Sequence, residues 1–184
     1  AASDVYKRQN QMYIRKFPDR AASLLGKLHC QHYGLPSFGK RLAAATREFV
    51  PFSGDPAGWF AQNGRFTDFS GKTIELPERT FATHTSGKYT AARVPLLDVI
   101  AEVLRQPDEV WLNNYDGKAF DCLNYIRFYR DKAINVVCRI ENGKTLAVRT
   151  WFEIAIRPTT RSGGKIAPEK DPRLKYRRGL LVKK

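Results

Sequence analysis

The chain of 184 residues is poor in the groups that most enzyme chemistries need. Its three cysteines, Cys30, Cys122 and Cys138, are odd in number and contain no CxxC pair. They support neither a disulfide framework nor a zinc site, and read as buried thiols in a reducing compartment. Three histidines are present, and His29 and His32 could share a helical face beside Cys30, but no second ligand pair follows and no metal or other cofactor is expected. Paired carboxylates on a common element are missing, which argues against a two-metal nuclease, because such a site needs several acidic ligands to hold its cations. There is no Gly-rich phosphate loop ahead of a helix, no HExxH and no GxSxG. Apolar runs are short, as in Val94 to Leu97, so nothing is expected to span a membrane. The N-terminus has no apolar signal segment and no initiator Met. Ala1 to Gln9 read as a translated sequencing-adaptor scar of the metagenomic kind, with the true protein starting upstream.

What the chain does have is positive charge. Thirty-two basic residues against 18 acidic ones leave +14 and a pI near 9.9. The excess lies late: from residue 79 onward there are 21 basic and 11 acidic residues, and from residue 157 onward ten and two. A polyanion is the expected partner, nucleic acid first among them; the bland alternative is a solubilising surface charge. With 42% hydrophobic and 12% aromatic residues, most of the chain should fold.

Periodicity predicts a helix over 19–33, from a possible cap at Asp19 to the stop at Gly34 and Pro36. A second helix is expected from Ser37 to near Phe49. Residues 50–72, dense in Gly, Pro and aromatics, read as an ordered linker or arm. Lys72 to Leu76 suggest a short strand. The clearest helix is predicted from Thr90 to Pro107, with Leu96, Leu97, Ile100, Val103 and Leu104 as one apolar stripe. Strands follow at 109–112, 123–129 and 134–140, then Asn142-Gly143 as a hairpin turn, then a long strand over 146–156. Four consecutive strands with short connections make an antiparallel meander. Residues 157–173 read as a loop, and Leu174 to Val182 as an edge strand. The fold class is therefore α+β: an amphipathic helix packed on a small antiparallel sheet, with a helical N-terminal extension. The expected division is 1–9 scar, 10–71 extension and linker, and 72–184 the functional domain.

His84 is the one histidine in the later part, in the polar stretch Thr83-His84-Thr85-Ser86-Gly87-Lys88. An ordinary pKa near 6.5 suits it to proton transfer, although a loop histidine is inert more often than catalytic. The order Phe81-x-x-His84, Arg93, Pro107-Asp108-Glu109-Val110-Trp111, Tyr125, Thr150 within Val148 to Phe152, and Arg177-Arg178-Gly179-Leu180-Leu181 resembles the phage-type barnase/EndoU/colicin/RelE-like nuclease domain. Domains of that kind stand at the C-terminus of phage minor head proteins and in bacterial toxin modules. The stretch Tyr33 to Lys40 is similar to linker sequence in phage head-morphogenesis proteins.

The resemblance implies a helix on an antiparallel sheet and a metal-independent ribonuclease whose substrate is RNA, tRNA among the options. A base takes the 2′-OH proton, the oxygen attacks the adjacent phosphate, and an acid protonates the departing 5′-oxygen. Carried over residue by residue, His84 would be the base or the acid and Arg93 would hold phosphate, while Tyr125 and Thr150 would supply hydroxyls. Arg127 and Arg178 would touch the substrate backbone. Against these stand an Arg93 that merely pairs with Asp98, a Tyr125 that is an ordinary strand aromatic, and a Trp111 that is a packing anchor. Thr150 shares strand parity with Val148 and Phe152, on the core face, so its role requires a bulge or an active cleft on that face. Partners implied are RNA and phage head or portal proteins, in the virion or the bacterial cytoplasm. Two alternatives keep the fold: a non-catalytic virion module that binds DNA or head proteins, and an antibacterial RNase toxin.

Overall fold

The computed structural model describes residues 31–113, 122–141, 145–154, 176–177 and 179–184. Most of the expected 19–33 helix, the Asn142-Gly143 turn, the 157–173 loop and Arg178 lie outside the described residues.

Helix α1, Phe38–Ala43, starts where Ser37 predicts it: the Lys40 amide donates to Ser37 Oγ at 3.3 Å. It stops at Ala43, short of Phe49. Residues 50–72 are not a linker. Asp55 caps helix α2, Pro56–Gln62, by accepting from the Gly58 amide at 2.7 Å, with Pro56 in the first turn where no N–H is needed. Strands β1, Arg65–Thr67, and β2, Thr73–Glu75, then form a hairpin. Trp59 and Phe66 enter the main core, and Trp59 Nε1 donates to Asp98 at 2.9 Å.

Helix α3, Glu78–His84, begins after Pro77 and packs Phe81 against Phe60 and Trp59. The single helix expected from Thr90 to Pro107 is broken into helix α4, Thr90–Arg93, a 3-10 turn at Val94–Leu96 and helix α5, Val99–Arg105. Pro95 lacks an N–H and its ring crowds the preceding turn, so the chain tightens there. The stripe survives the break: Leu96, Leu97, Ile100, Val103 and Leu104 are all buried.

Strands β3, Glu109–Asn113, β4, Cys122–Tyr129, β5, Lys132–Glu141, and β6, Thr145–Ile154, form the expected meander. Asp131, at φ 62°, turns the β4–β5 hairpin, in a conformation Asp tolerates better than most residues. Strand β7, Leu180–Lys183, pairs with β3, so the edge strand expected near the C-terminus is there but shorter. The order is β1-β2-β6-β5-β4-β3-β7, antiparallel except for the parallel contact of β2 with β6.

Both faces of the central strands are buried. The helices cover one face, over Val110, Tyr125, Tyr129, Ile134, Val136, Cys138, Val148 and Trp151. On the other, Tyr33, Leu35, Phe38 and Leu42 pack against Trp111, Ile126, Phe128 and Ile154. A buried ionic knot ties this second layer down. Glu109, fully buried, accepts from Arg177 Nε and Nη2 at 2.8 and 2.9 Å, from Arg41 Nε at 3.1 Å and from Trp111 Nε1 at 3.0 Å. Arg177 Nη2 also donates to the Pro36 carbonyl at 2.9 Å, joining the chain's last segment to its described start. So dense a set of charge-assisted bonds offsets the cost of burying the carboxylate.

Candidate active site

The site is built on an open strand edge. Strand β2 pairs with β6 only at Leu146 and Ala147, so beyond Ala147 no described strand covers β6 on that side. Helices α3 and α4 lie against it instead. The pairing of β6 with β5 slips by one residue between Val137, opposite Thr150, and Cys138, opposite Val148. Arg149 is the extra residue. Such a bulge reverses parity along the strand, placing Trp151 on the helix face with Val148 and turning Thr150 and Phe152 to the second face. The bulge thus separates Thr150 from the parity of Val148, but turns it away from the helix-covered face of Trp151.

Trp151 anchors the elements above the edge. Its Nε1 donates to the Arg93 carbonyl at 2.9 Å, and the His84 ring stacks on its indole at 5.1 Å between centroids. Tyr89 stacks on the same imidazole at 5.8 Å. His84 therefore stands in the last turn of α3 rather than in a loop, held by two aromatic rings and half-buried. Its Nδ1 lies 3.0 Å from the Thr80 carbonyl oxygen, an acceptor only, so the Nδ1–H donates and the neutral ring keeps its lone pair on Nε2. Burial pulls the His84 pKa below its usual value, and the charges of Arg93 and Arg149 pull the same way against the Thr80 bond. A neutral imidazole with Nε2 available is a proton acceptor at neutral pH.

Arg93 runs from α4 over this edge. Its guanidinium sits 5.2 Å from the centre of the Phe152 ring, and Tyr176 packs on the same ring at 5.1 Å. Arg93 Nε is buried without a protein partner, and burial lowers the guanidinium's pKa. Such a donor has hydrogen-bonding capacity left for a phosphate oxygen. The alternative pairing of Arg93 with Asp98 is not made; Asp98 accepts from Trp59 instead. Arg149 is half-exposed, at 3.9 Å from Glu141. His84, Arg93 and Arg149 thus lie together at this strand edge, two cations beside one proton acceptor, while Thr150 stands on the same strand but on the other face of the sheet from Trp151.

Two expected residues lie elsewhere. Tyr125 is fully buried beneath the helix layer, one strand away from Trp151 through Val136, and its hydroxyl donates to Asp68 Oδ2 at 3.0 Å. The alternation that sets it opposite Ile126 and Phe128 holds, but its side of the sheet is core. Burial, with the Cys138 thiol and Asp68 beside it, pushes its pKa up. Asp68 also accepts from the Ser70 amide and hydroxyl and the Lys72 amide, bonds that outweigh burial and lower its pKa. Arg127 is committed to α5: Nη2 meets Glu102 at 2.7 Å and Nη1 donates to the Gln106 carbonyl, where a cation complements the helix C-terminus. Trp111 is fully buried and bonded to Glu109, a packing anchor.

Sequence reading missed Trp151, Tyr89 and Arg149 as parts of the site. Arg149 owes its place to the bulge, for which the strand carries no Gly or Pro signal. Among the described residues no group of three or more His, Cys, Asp or Glu side chains could hold a metal ion, and no helix is long and apolar enough to cross a membrane.

The sequence pattern of one family, described as phage-Barnase-EndoU-ColicinE5/D-RelE like nuclease2, matches residues 51–182. Neither a curated protein nor a solved structure matches the chain.

Proposed function

The chain belongs to the phage-Barnase-EndoU-ColicinE5/D-RelE like nuclease2 family, and from that premise we propose that it cleaves RNA with its own side chains, without a metal ion. The observation that carries the reading is His84, with Nδ1 tied to Thr80 and Nε2 left as a lone-pair acceptor beside two arginines. In the proposed step His84 Nε2 takes the 2′-OH proton, and O2′ attacks the adjacent phosphorus. The P–O5′ bond breaks, leaving a 2′,3′-cyclic phosphate. The departing O5′ takes a proton from water at the half-exposed Arg149 rim, and His84 returns its own to solvent. Arg93 holds a phosphate oxygen, a role its unpartnered Nε suits, and Thr150 donates from the strand edge. In this reading Tyr125 and Arg127 keep the scaffold rigid, and DNA, lacking the 2′-OH, stays intact.

The purified protein incubated with total tRNA and EDTA tests this. Fragments with 2′,3′-cyclic phosphate ends that vanish in His84→Ala are expected. DNA binding without RNA cleavage would favour the non-catalytic module instead.

The setting we propose is a phage minor head protein, in the virion or the bacterial cytoplasm. The similarity of Tyr33 to Lys40 to head-protein linkers and the phage origin in the family's description support it. Portal or capsid genes beside its gene would agree; a neighbouring immunity gene would point to an antibacterial toxin.

A further inference from the structure

A cavity of about 220 Å³ opens on the second face of the sheet, where the chain leaves α1. Phe128 floors it, and Arg41, Thr46 and Arg47 line its walls. Both guanidiniums are held from behind. Arg41 gives Nε to Glu109 at 3.1 Å, and Arg47 gives Nη1 to Asp108 at 2.7 Å and to the Phe128 carbonyl at 3.1 Å. The Arg130 amide donates to the Arg47 carbonyl at 2.7 Å, so the backbone is fixed there too. Both Nη groups of Arg41, with Nε and Nη2 of Arg47, donate to no acceptor among the described residues. The nearby carboxylates are already engaged: Asp108 also accepts from the Phe128 amide at 2.8 Å, and Glu109 is shared with Arg177. Among these groups Arg41, Arg47 and Arg177 stand against Asp108 and Glu109 alone, which leaves a positive charge in excess.

We propose that this cavity holds a phosphate group and anchors an RNA strand away from the point of cutting; the identity of the strand rests on the ribonuclease reading above. The donors select the ligand. Two guanidiniums on one cavity suit a group with several charged oxygens, and each can take two of them. The space admits a phosphate with several waters, each of which occupies about 30 Å³ of liquid. Because both cations are already held, binding costs little side-chain freedom. Position supplies the strand. Phe128 lies opposite Ala133, and Ala133 opposite Ile154, so the cavity floor is two strands, about 10 Å, from β6. Ile154 stands two residues, about 7 Å, beyond Phe152, on which Arg93 rests. A strand held by phosphate at Arg93 therefore reaches the cavity within a few nucleotides. Both arginines precede residue 51, where the family match begins, so this anchor is an addition to the family's pattern.

The test separates anchoring from cleavage by using DNA single strands, which lack the 2′-OH, over a range of salt with the full chain. A strand of about 12 nucleotides, within the span of single-strand sites, covers both places, whereas a dinucleotide fills the catalytic edge alone. Arg47→Gln removes one cation. Ala44→Glu sets a carboxylate on the exposed wall of the cavity without removing any bond, and carries the test should loss of the Asp108 pair unfold Arg47→Gln. In each variant the long strand should lose about 0.7 from the slope of log K against log salt, the share of one phosphate contact on a single strand. Its affinity at low salt should fall roughly tenfold, the worth of a charged hydrogen bond. Dinucleotide affinity, read by NMR, should not change. A slope unchanged in Ala44→Glu or in folded Arg47→Gln, or an equal loss for the dinucleotide, would overturn the anchor even if RNA is cleaved. Inorganic phosphate bound by the wild type and not by Ala44→Glu, with the strand slope unchanged, would put a small phosphorylated ligand in the cavity and overturn the RNA anchor as well. The predicted slope loss in a protein that cleaves no RNA would support the anchor and sink the ribonuclease reading.

Discussion

Replacing Tyr125 with Phe decides whether this tyrosine belongs to the chemistry or to the scaffold. The substitution removes one oxygen and leaves the ring in place, so packing under α5 is preserved. What is lost is the hydrogen bond to Asp68 Oδ2 at 3.0 Å, while Asp68 Oδ1 keeps the Ser70 amide and hydroxyl and the Lys72 amide. A buried bond to a charged acceptor contributes about 1.5–3 kcal/mol, so stability should fall by about that amount. Because Asp68 is ionised below its usual pKa in the folded protein, its contribution is complete above the unfolded carboxyl pKa and is lost as pH falls through the lowered folded value. The difference between wild type and Tyr125→Phe should therefore be full at pH 7 and shrink in acid. Urea unfolding followed by Trp fluorescence reads it, as a lower midpoint with an unchanged slope. RNA cleavage well below the unfolding midpoint should stay within a few fold of wild type. A variant of normal stability whose cleavage falls a hundredfold or more would refute this, and would place the Tyr125 hydroxyl on the substrate.

His84→Ala should reduce cleavage by about 10²–10⁴-fold, the usual worth of a general base, and gel assays on tRNA check it. Since a base must be neutral and the His84 pKa is lowered, the acid limb of the wild-type pH–rate profile should fall below pH 6.5; a limb above 6.5 would contradict the geometry. The same lowering means that the unfolded chain binds the His84 proton first, so this group's stability contribution is full above 6.5 and is lost as pH falls through the folded value. Glu109→Ala leaves Arg41 and Arg177 facing each other in a buried site and should destabilise by about 3–5 kcal/mol, seen as a large drop in the thermal midpoint. Arg93→Lys keeps the charge but loses the two-pronged grip of the guanidinium, so it should raise KM for RNA and leave a measurable rate.

The sheet could be read from the sequence because its signals are local. Alternation over 123–129 and 134–140 and the long strand after residue 145 give the meander, and the register from Glu141 opposite Thr145 to Ala133 opposite Ile154 agrees with a hairpin there. The helix stripe was equally plain, since five apolar residues at helical spacing were buried together despite the break at Pro95. What escaped depends on distant partners. Residues 50–72 looked like a linker because Gly and Pro crowd them, although Asp55-Pro56 is a helix-start signal and Trp59 a core residue in waiting. Tyr125 looked like a residue of an open polar face, but the helices make that face core and residues 33–42 bury the other. His84 looked like a loop residue because Ser86 and Gly87 follow it; Phe81, packed on Phe60, carries the helix to it. The bulge at Arg149 leaves no mark in composition, and with it went the pairing of Trp151 with His84.

The central claim is that His84 drives attack by a 2′-oxygen on phosphate with no metal taking part. A set of DNA oligonucleotides each carrying a single ribonucleotide, one for each of the four bases, incubated with the protein in excess EDTA and analysed by mass spectrometry, tests it most directly. The account predicts one cut, on the 3′ side of that ribonucleotide, with a 2′,3′-cyclic phosphate on the upstream fragment, and no cut when the ribose is 2′-deoxy or when His84 is Ala. Cleavage of the all-deoxy strand, or cleavage that EDTA abolishes, would contradict it.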